Sequence, residues 1–261
     1  MPWVFRGLRN GVLTTGYPRR PDPYADTFRG AVTVVDPAAT GEVEELCPTS
    51  AITRGEAGQV ALDRGRCILC GHCVHQRPDA FAWAEGSEAA RLTRPALVVP
   101  EHEEDDHALA ELRTELARRV RRLRRSVHLR HVDAGSDGAD EWEIAALLNP
   151  VYDVHRLGIF FTATPRHADI LLVTGAGARG MVQPLARTLE AMPQPVVVIA
   201  VGTDAISGGL VSPSYATSEG VGHQVPVDVW VPGSPASPFA ILHGILLALD
   251  RVPTRRSEVP A

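Results

Sequence analysis

The four cysteines of the chain are the residues whose spacing most directly indicates chemistry. Cys67, Cys70 and Cys73 form a Cys-x2-Cys-x2-Cys run, and Cys47 lies twenty residues before that run and directly precedes Pro48. Bacterial ferredoxins hold a cubane iron–sulfur cluster with three closely spaced thiolates and a remote cysteine that precedes a proline. The pattern therefore predicts one [4Fe–4S] cluster bound by all four cysteines.

A four-cysteine zinc site is the competing interpretation of this set. Zinc motifs usually consist of two Cys-x2-Cys pairs, which is a different spacing from the one found here. A run from a two-cluster ferredoxin would carry a fourth cysteine before a proline, where this sequence has Arg77-Pro78. The ligands of a second cluster are therefore missing, and His72 and His75 are expected to line the site rather than bind metal.

The segments that follow Ser126 alternate between two hydrophobic patterns. "VHLRHVD", "ADILLVTG" and "PVVVIAVG" predict strands, whereas "EWEIAALLN", "MVQPLARTLEAM" and "PFAILHGILLALD" predict helices. Continuous Val, Ile and Leu runs between helices are typical of a parallel sheet covered on both faces. The predicted fold class is α/β, with a flavodoxin-like parallel sheet in the C-terminal part and a small α+β ferredoxin-like domain before it.

Three regions are predicted along the chain. Residues 1–98 are rich in turns and form the single-cluster domain, residues 99–126 form a linking helix, and residues 127–261 form the α/β domain. The linking segment is acidic in "EHEEDDHALAEL" and basic in "RTELARRVRRLRRS". It is either a solvated connection or a basic surface for a protein partner or an anionic membrane face.

Composition excludes several protein classes. The chain has 261 residues, of which 44% are hydrophobic and 22% are charged, with a formal net charge of −5. This composition argues against collagen, a coiled coil or disorder, and no apolar run reaches the roughly 18 residues of a membrane-spanning helix. The charge gives no basic footprint for nucleic acid. No secretory signal is visible, so a cytoplasmic location is expected.

Specific segments also resemble two known protein families. "LRNGVLTTGYPRRP", "CPTSAI" and "CILCGHCVHQRPDAF" resemble the ferredoxin-like subunit of complex I and of membrane-bound nickel–iron hydrogenases, which normally carries two [4Fe–4S] clusters. "SVHLRHVDAG", "PLARTLEAMPQPVVVIAVG", "VPVDVWVPGSP" and "SPFAILHGILLALD" resemble the small subunit of energy-converting nickel–iron hydrogenases and formate hydrogenlyase, which is homologous to the B subunit of complex I. The resemblance implies a fusion of the two.

The second family implies a cluster site that this chain has lost. Its four cysteines lie in a "GSCNGCE"-like loop, after a "VGxC" strand and in "PGCP". The matching positions here are Asp137 and Asp140 in "GSDGADE", Asp204 in "VGTDA" and Ser234 in "PGSP". Carboxylates suit harder cations than iron–sulfur clusters. The former site is therefore a solvated polar pocket, a cation site or a place where protons are handled.

The resemblance also implies a function within a larger assembly. It predicts an iron–sulfur electron-transfer or scaffolding subunit of a membrane-associated oxidoreductase complex related to complex I or to hydrogenases. The expected partners are a large subunit of the hydrogenase or complex I type, a soluble electron carrier and, indirectly, antiporter-like membrane subunits. The chain alone is not expected to be an enzyme, and its partner subunits would hold it at the inner face of the cell membrane.

Two alternative functions follow from other features of the sequence. Gly175-x-Gly177-x-x-Gly180 lies between a predicted strand and a predicted helix, which is the context of a dinucleotide fingerprint. A nucleotide-dependent oxidoreductase is therefore one alternative. The other is a purely structural subunit whose cluster only stabilises the fold.

Overall fold

The computed structural model describes residues 3–21, 28–55, 57–100, 106–121 and 126–252. In chain order the strands are β1 Ala31–Val34, β2 Ile52–Arg54, β3 Val60–Asp63, β4 Phe81–Ala84, β5 Val98–Val99, β6 Val127–Asp133, β7 Ile159–Phe161, β8 Ile170–Thr174, β9 Val197–Val201 and β10 Val229–Val231. The α-helices are α1 Trp3–Asn10, α2 His72–Gln76, α3 Asp106–Val120, α4 Ala139–Ala146, α5 Val182–Glu190, α6 Thr203–Ser207 and α7 Pro238–Ala248.

The C-terminal part is built on a five-stranded sheet in the order β7-β6-β8-β9-β10, with every neighbouring pair parallel. This is the strand order of flavodoxin-like folds, in which the chain reverses direction across the sheet between the first and third strands. Every residue of β8 and β9 is buried. The predicted flavodoxin-like class is confirmed.

Helices cover both faces of this sheet, as its continuous apolar strands require. On one face, α3, α4 and α7 contribute Leu116, Ile144 and Ile241 to a core with alternate residues of the strands. On the other face, α5 and α6 contribute Leu185 and Ile206. Because β8 and β9 have no face exposed to water, apolar side chains are retained at their successive positions rather than at alternate ones.

The N-terminal part consists of two small antiparallel sheets. β1 pairs with β4, and β3 lies between β2 and β5. Their shared core includes Leu62 and Phe81 together with Cys67 and Cys73. Arg54 ties the loops to this core, since its guanidinium donates to Glu44 and to three backbone carbonyls. The cysteines are therefore part of the packing of this region.

The N-terminal and C-terminal parts are in direct contact. Arg91 and Trp230 exchange two backbone hydrogen bonds of 2.9 and 2.8 Å, which adds a short antiparallel bridge at the β10 edge. Tyr17 is buried in the C-terminal core, with its ring edge-on to Phe239 at a centroid distance of 5.9 Å. The division at residues 98 and 126 stays a prediction, but segments before residue 98 help to complete the C-terminal core.

The linking helix α3 is packed along one side rather than solvated all round. Leu116 and Val120 are buried in the C-terminal core. Arg119 forms an ion pair with Asp228 at 2.6 Å and also donates to the carbonyl of Val196. The acidic residues 101–105 and the basic residues 122–125 of the predicted linker lie outside the described residues.

Among the residues that the structure describes, no helix has both the length and the apolar character needed to cross a bilayer.

Candidate functional site

The four cysteines line a single pocket in the N-terminal part. Cys47 ends a short 3-10 turn, Cys67 follows β3, and Cys70 and Cys73 lie on either side of the start of α2. The remaining lining residues are mostly apolar, namely Val32, Leu46, Pro48, Thr49, Ala51, Ile52, Leu62, Ile68 and Gly71. Local turns and two antiparallel sheets thus bring together thiols that are 26 residues apart at the extremes of the set.

The burial of these cysteines is uneven. Cys67 and Cys73 are buried, Cys47 is half-buried and Cys70 is exposed. Burial raises the pKa of Cys67 to about 12, and the neighbouring thiols Cys73, Cys47 and Cys70 add to the effect. Burial likewise raises the pKa of Cys73. These thiols hold their protons at neutral pH, and metal binding must release them.

Backbone and hydroxyl groups are directed at the sulfur of Cys47. The N–H of Ala51 donates to its Sγ over 3.2 Å, and the hydroxyl of Thr49 lies 3.4 Å from the same atom. Hydrogen bonds of this kind stabilise negative charge on a ligating sulfur and are among the factors that set the potential of iron–sulfur clusters. The sulfur of Cys47 therefore has two polar contacts that suit a ligating sulfur.

The donor set fits a cubane cluster in its chemistry. Four soft thiolates in an apolar surrounding are the ligands that iron–sulfur clusters take. In the described ranges, no three His, Cys, Asp or Glu side chains converge closely enough to hold a single metal ion. A cubane presents a separate iron atom to each thiolate, so its ligands surround a volume rather than one point.

The residues that flank the cysteine run have other surroundings. His72 and His75 are exposed and are not among the residues that line the pocket. Arg77 forms an ion pair with Asp79 at 2.7 Å and donates to the carbonyl of Thr40. Arg77 therefore tightens the loop that enters β4.

The inner wall of the cysteine pocket rests on α6 of the C-terminal part. The buried hydroxyl of Thr203 donates to the carbonyl of Cys67 over 2.9 Å. A Cβ placed on Gly65 would lie 2.7 Å from the side chain of Ile206, so the loop before Cys67 is in close contact with the same helix. The sequence patterns gave no indication of this contact, because it joins residues 136 positions apart.

The four polar positions that the resemblance matched to cluster ligands also lie at one edge of the sheet. Asp137 and Asp140 follow β6, Asp204 follows β9 and Ser234 follows β10. The carboxyl ends of parallel strands lie at one edge of the sheet, where α/β proteins place their binding sites. Asp140 is buried, Asp204 is half-buried, and Asp137 and Ser234 are exposed.

Among these acidic residues, Asp140 is the carboxyl group whose pKa is shifted most. Its Oδ1 accepts the N–H of Ala236 over 2.8 Å, which joins the loop after β6 to the loop that contains Ser234. Burial raises the pKa of Asp140 to about 7 against the opposing effect of that N–H, and Glu141, Asp204 and Asp137 raise it further. Burial and the charges of Asp137 and Glu141 also raise the pKa of Asp204. This set of carboxyl groups therefore holds a proton near neutral pH.

Three further polar residues, absent from the predicted set, extend this cluster. Thr174, which is fully buried at the end of β8, donates to Oε1 of Glu141 and lies 2.9 Å from Nε2 of His131. Burial lowers the pKa of His131 against the raising effect of Glu141. The one available sequence signal was position, since Thr174 and His131 lie at or near the ends of adjacent strands.

The glycine-rich turn after β8 is packed against the chain itself. The backbone of Gly135 lies against Gly175, and the carbonyl of Gly177 accepts hydrogen bonds from Ser218 and Gln224 over 3.0 and 2.7 Å. A dinucleotide would require the backbone of such a turn to be free to approach its pyrophosphate. The loop at residues 216–224 lies there instead.

Comparison with known proteins places the C-terminal part in a family. Residues 138–248 match the family described as "NADH ubiquinone oxidoreductase, 20 Kd subunit". Over 150 residues, which are 57% of this chain and 90% of the relative, the chain is 39% identical to "Probable membrane-bound hydrogenase subunit mbhJ" of Pyrococcus furiosus. The chain belongs to this 20 kDa subunit family.

Other members of the 20 kDa subunit family match over shorter shares of their length. The chain is 39% identical to "Formate hydrogenlyase subunit 7" of Escherichia coli over 55% of this chain and 55% of that relative. It is 41% identical to a B-type NADH-quinone oxidoreductase subunit of Rhizobium meliloti over 41% of this chain and 63% of that relative. The chain thus spans between about half and nine tenths of these relatives.

A solved structure, that of the membrane-bound sulfane sulfur reductase, an archaeal respiratory membrane complex, overlaps 51% of this chain and 74% of its own, with 27% identity and a TM-score of 0.45.

Gly71 provides a test of the cysteine pocket in this family member. Its φ is +70°, and a Cβ there would lie 2.7 Å from the ring of Trp83. Gly71→Ala is expected to destabilise the protein by about 3 kcal/mol, of which about 1 to 2 come from the left-handed backbone and the rest from displacing the ring. Urea unfolding under anaerobic conditions measures the change.

Gly58 is the matched control, because its φ is +80° and no atom lies within 4 Å of its added Cβ. Gly58→Ala is expected to show the backbone cost alone, about 1 to 2 kcal/mol. Equal losses for the two variants would contradict the close contact between Gly71 and Trp83.

Proposed function

We propose that this chain is an iron–sulfur electron-transfer or scaffolding subunit of a membrane-associated oxidoreductase complex related to complex I and to membrane-bound hydrogenases. One [4Fe–4S] cluster is held by Cys47, Cys67, Cys70 and Cys73, and the C-terminal part carries none. The observation that carries the proposal is the convergence of all four cysteines of the chain on one pocket.

Each part of the pocket has a role in holding this group. Four thiolates supply the ligands, the apolar walls exclude water, and the N–H of Ala51 stabilises the charge on Cys47. When bound, a cluster of this type accepts and donates a single electron. Cys70 is exposed, so an external partner can approach the pocket closely from the side on which Cys70 lies. Cys67 lies on the inner side of the pocket, against α6.

The C-terminal part supports the second half of the proposal. Its equivalent positions carry Asp137, Asp140, Asp204 and Ser234, and Glu141 adds another carboxyl group. Oxygen ligands suit magnesium, calcium or manganese rather than iron–sulfur clusters. We therefore assign no cluster to this edge of the sheet. The α/β domain then serves as a docking surface, and one of its acidic residues, Asp204, lies on α6 next to the Thr203 that bonds the carbonyl of Cys67.

The names of the relatives support membership of a complex. They are a formate hydrogenlyase subunit, a membrane-bound hydrogenase subunit and an NADH-quinone oxidoreductase subunit. By the same argument, the direct partners are a large subunit of the hydrogenase or complex I type and a soluble electron carrier. Antiporter-like membrane subunits are indirect partners. The location is the cytoplasmic face of the membrane, and chemistry takes place in the partner subunits.

Anaerobic purification followed by metal and sulfide analysis tests this function. We expect about four iron and about four sulfide per chain, and a paramagnetic signal that appears on reduction with dithionite. A second cluster would raise the iron content to about eight per chain, and a zinc site would give about one zinc instead. A cluster that resists reduction at physiological potentials would overturn electron transfer and leave a structural role.

A further inference from the structure

The helix α1 leaves its apolar side chains uncovered. All eight residues of Trp3–Asn10 are exposed, including Trp3 at 83%, Leu8 at 74% and Phe5 at 58%. Val12 and Leu13, which follow the helix, are also exposed. Helices of globular proteins normally bury such side chains, and contiguous exposed apolar patches mark interaction surfaces.

The residues of α1 divide cleanly around the helix axis. At 100° per residue, Trp3, Val4, Phe5 and Leu8 share one side with Gly7, and this apolar arc spans about 200°. The remaining three residues, Arg6, Arg9 and Asn10, occupy the opposite side. A protein groove receives a narrow stripe of anchors at i, i+3, i+4 and i+7, whereas a flat apolar layer can receive half a cylinder. The breadth of the arc favours the layer.

The charge of the residues around α1 indicates the sign of the charge that its partner carries. Residues 3–21 contain four arginines, Arg6, Arg9, Arg19 and Arg20, and no aspartate or glutamate, although the whole chain has a net charge of −5. Arginine on the polar side and Trp, Phe and Leu on the apolar side is the composition of helices that lie in the interface of an anionic bilayer. The surface is complementary to anionic lipid headgroups above an acyl layer.

The segment after α1 is held firmly on the body of the protein. The N–H of Thr15 donates to the carbonyl of Val151 over 2.8 Å, and Tyr17 is buried beside Phe239. Only four residues, 11–14, separate the last residue of α1 from this attachment. Whatever α1 binds is therefore held close to the α/β domain.

We propose that α1 is an interfacial anchor that binds the surface of an anionic lipid bilayer directly. Trp3, Phe5 and Leu8 enter the boundary between headgroups and acyl chains, and Arg6 and Arg9 contact lipid phosphates. This contact goes beyond attachment through partner subunits. It requires neither the cluster nor the complex, so it can fail while the proposed function holds.

Sedimentation of the 261-residue, cluster-containing chain with vesicles tests the anchor. We expect binding to vesicles of phosphatidylglycerol in phosphatidylcholine, and at least tenfold weaker binding to phosphatidylcholine alone. Leu8→Glu is expected to weaken binding to the anionic vesicles at least tenfold. Arg6→Gln with Arg9→Gln is expected to remove most of the preference for anionic lipid.

Leu210 supplies the matched control, because it is also an exposed leucine, at 65%, and lies far from α1 in the sequence. Leu210→Glu is expected to bind like the unaltered chain. Iron content shows that each variant is folded, since these side chains are exposed and are not among the residues that line the cysteine pocket. The proposal is overturned if the chain ignores anionic vesicles, which would leave a protein groove as the partner, or if Leu8→Glu binds as well as Leu210→Glu.

Discussion

Cys70→Ser is expected to remove nearly all iron from the protein, from about four atoms per chain to less than one. Cys70 is exposed, and substitutions at exposed positions ordinarily change the free energy of unfolding by less than about 0.5 kcal/mol. Loss of iron at this position therefore reports ligation rather than packing. Iron and sulfide analysis of anaerobically purified protein, together with its visible absorption, measures the effect.

Two further variants make the experiment more specific. Cys67→Ser, at a buried position, is expected to lose the iron and also to destabilise the N-terminal part. Thr49→Val is the control, because it removes a hydroxyl 3.4 Å from Cys47 Sγ and leaves all four thiols in place. Full iron content in Cys70→Ser would contradict the four-cysteine assignment.

Asp140→Asn is expected to make the protein more stable than the unaltered chain at pH 8, while the two are similar at pH 4. The pKa of Asp140 rises from 3.8 to about 7 on folding, mainly through burial. Between these values only the folded state holds the proton, so stability is present at low pH and is lost as pH rises towards 7. The loss is about 1.4 kcal/mol per pH unit and reaches about 4 kcal/mol at most.

Asparagine keeps the contact that positions this side chain, since its amide oxygen can accept the N–H of Ala236 as Oδ1 does. The measurement is urea unfolding of both proteins from pH 4 to pH 8, with the difference in unfolding free energy taken at each pH. Groups common to both proteins cancel in that difference. We expect it to grow with pH up to about 7 and then to level off.

Asp36→Asn is the matched control for Asp140→Asn. Asp36 is exposed, and its Oδ1 accepts the N–H of Ala38 over 2.9 Å, so the same chemical change occurs without burial. Its difference from the unaltered chain is the reference for replacing a carboxylate by an amide at an exposed position. A difference that does not change with pH for Asp140→Asn would show that folding does not raise the pKa of Asp140.

Local sequence patterns were sufficient to predict the main elements of the fold. Runs such as "ILLVT" and "VVIAV" predicted the buried strands β8 and β9, and "PFAILHGILLA" predicted α7. Several short elements were not predicted, among them β7, α1 and α6. Their hydrophobic patterns are too short to show a period. The conformation of β7 and α6 depends on packing, whereas α1 is a helix with no buried residue.

The two candidate sites differ in how much of each the sequence predicted. The cysteine set followed from spacing alone, because ligand type and separation are properties of the chain. Glu141, His131 and Thr174 were not predicted beside Asp140, although the structure places them together at the carboxyl edge of the sheet. Single polar residues at strand ends become a cluster only when the order of the strands is known.

The sequence by itself determined which residues are chemically able to bind a cluster, and which strands have no polar face, since both are local properties. Tertiary structure alone decided that the carbonyl of Cys67 is held by Thr203, that Tyr17 completes the core of the other part, and that α1 remains exposed. The first two contacts join positions that are far apart in the chain, and the exposure of α1 means that no distant segment that the structure describes covers it. They depend on how the two parts pack, which no local pattern records.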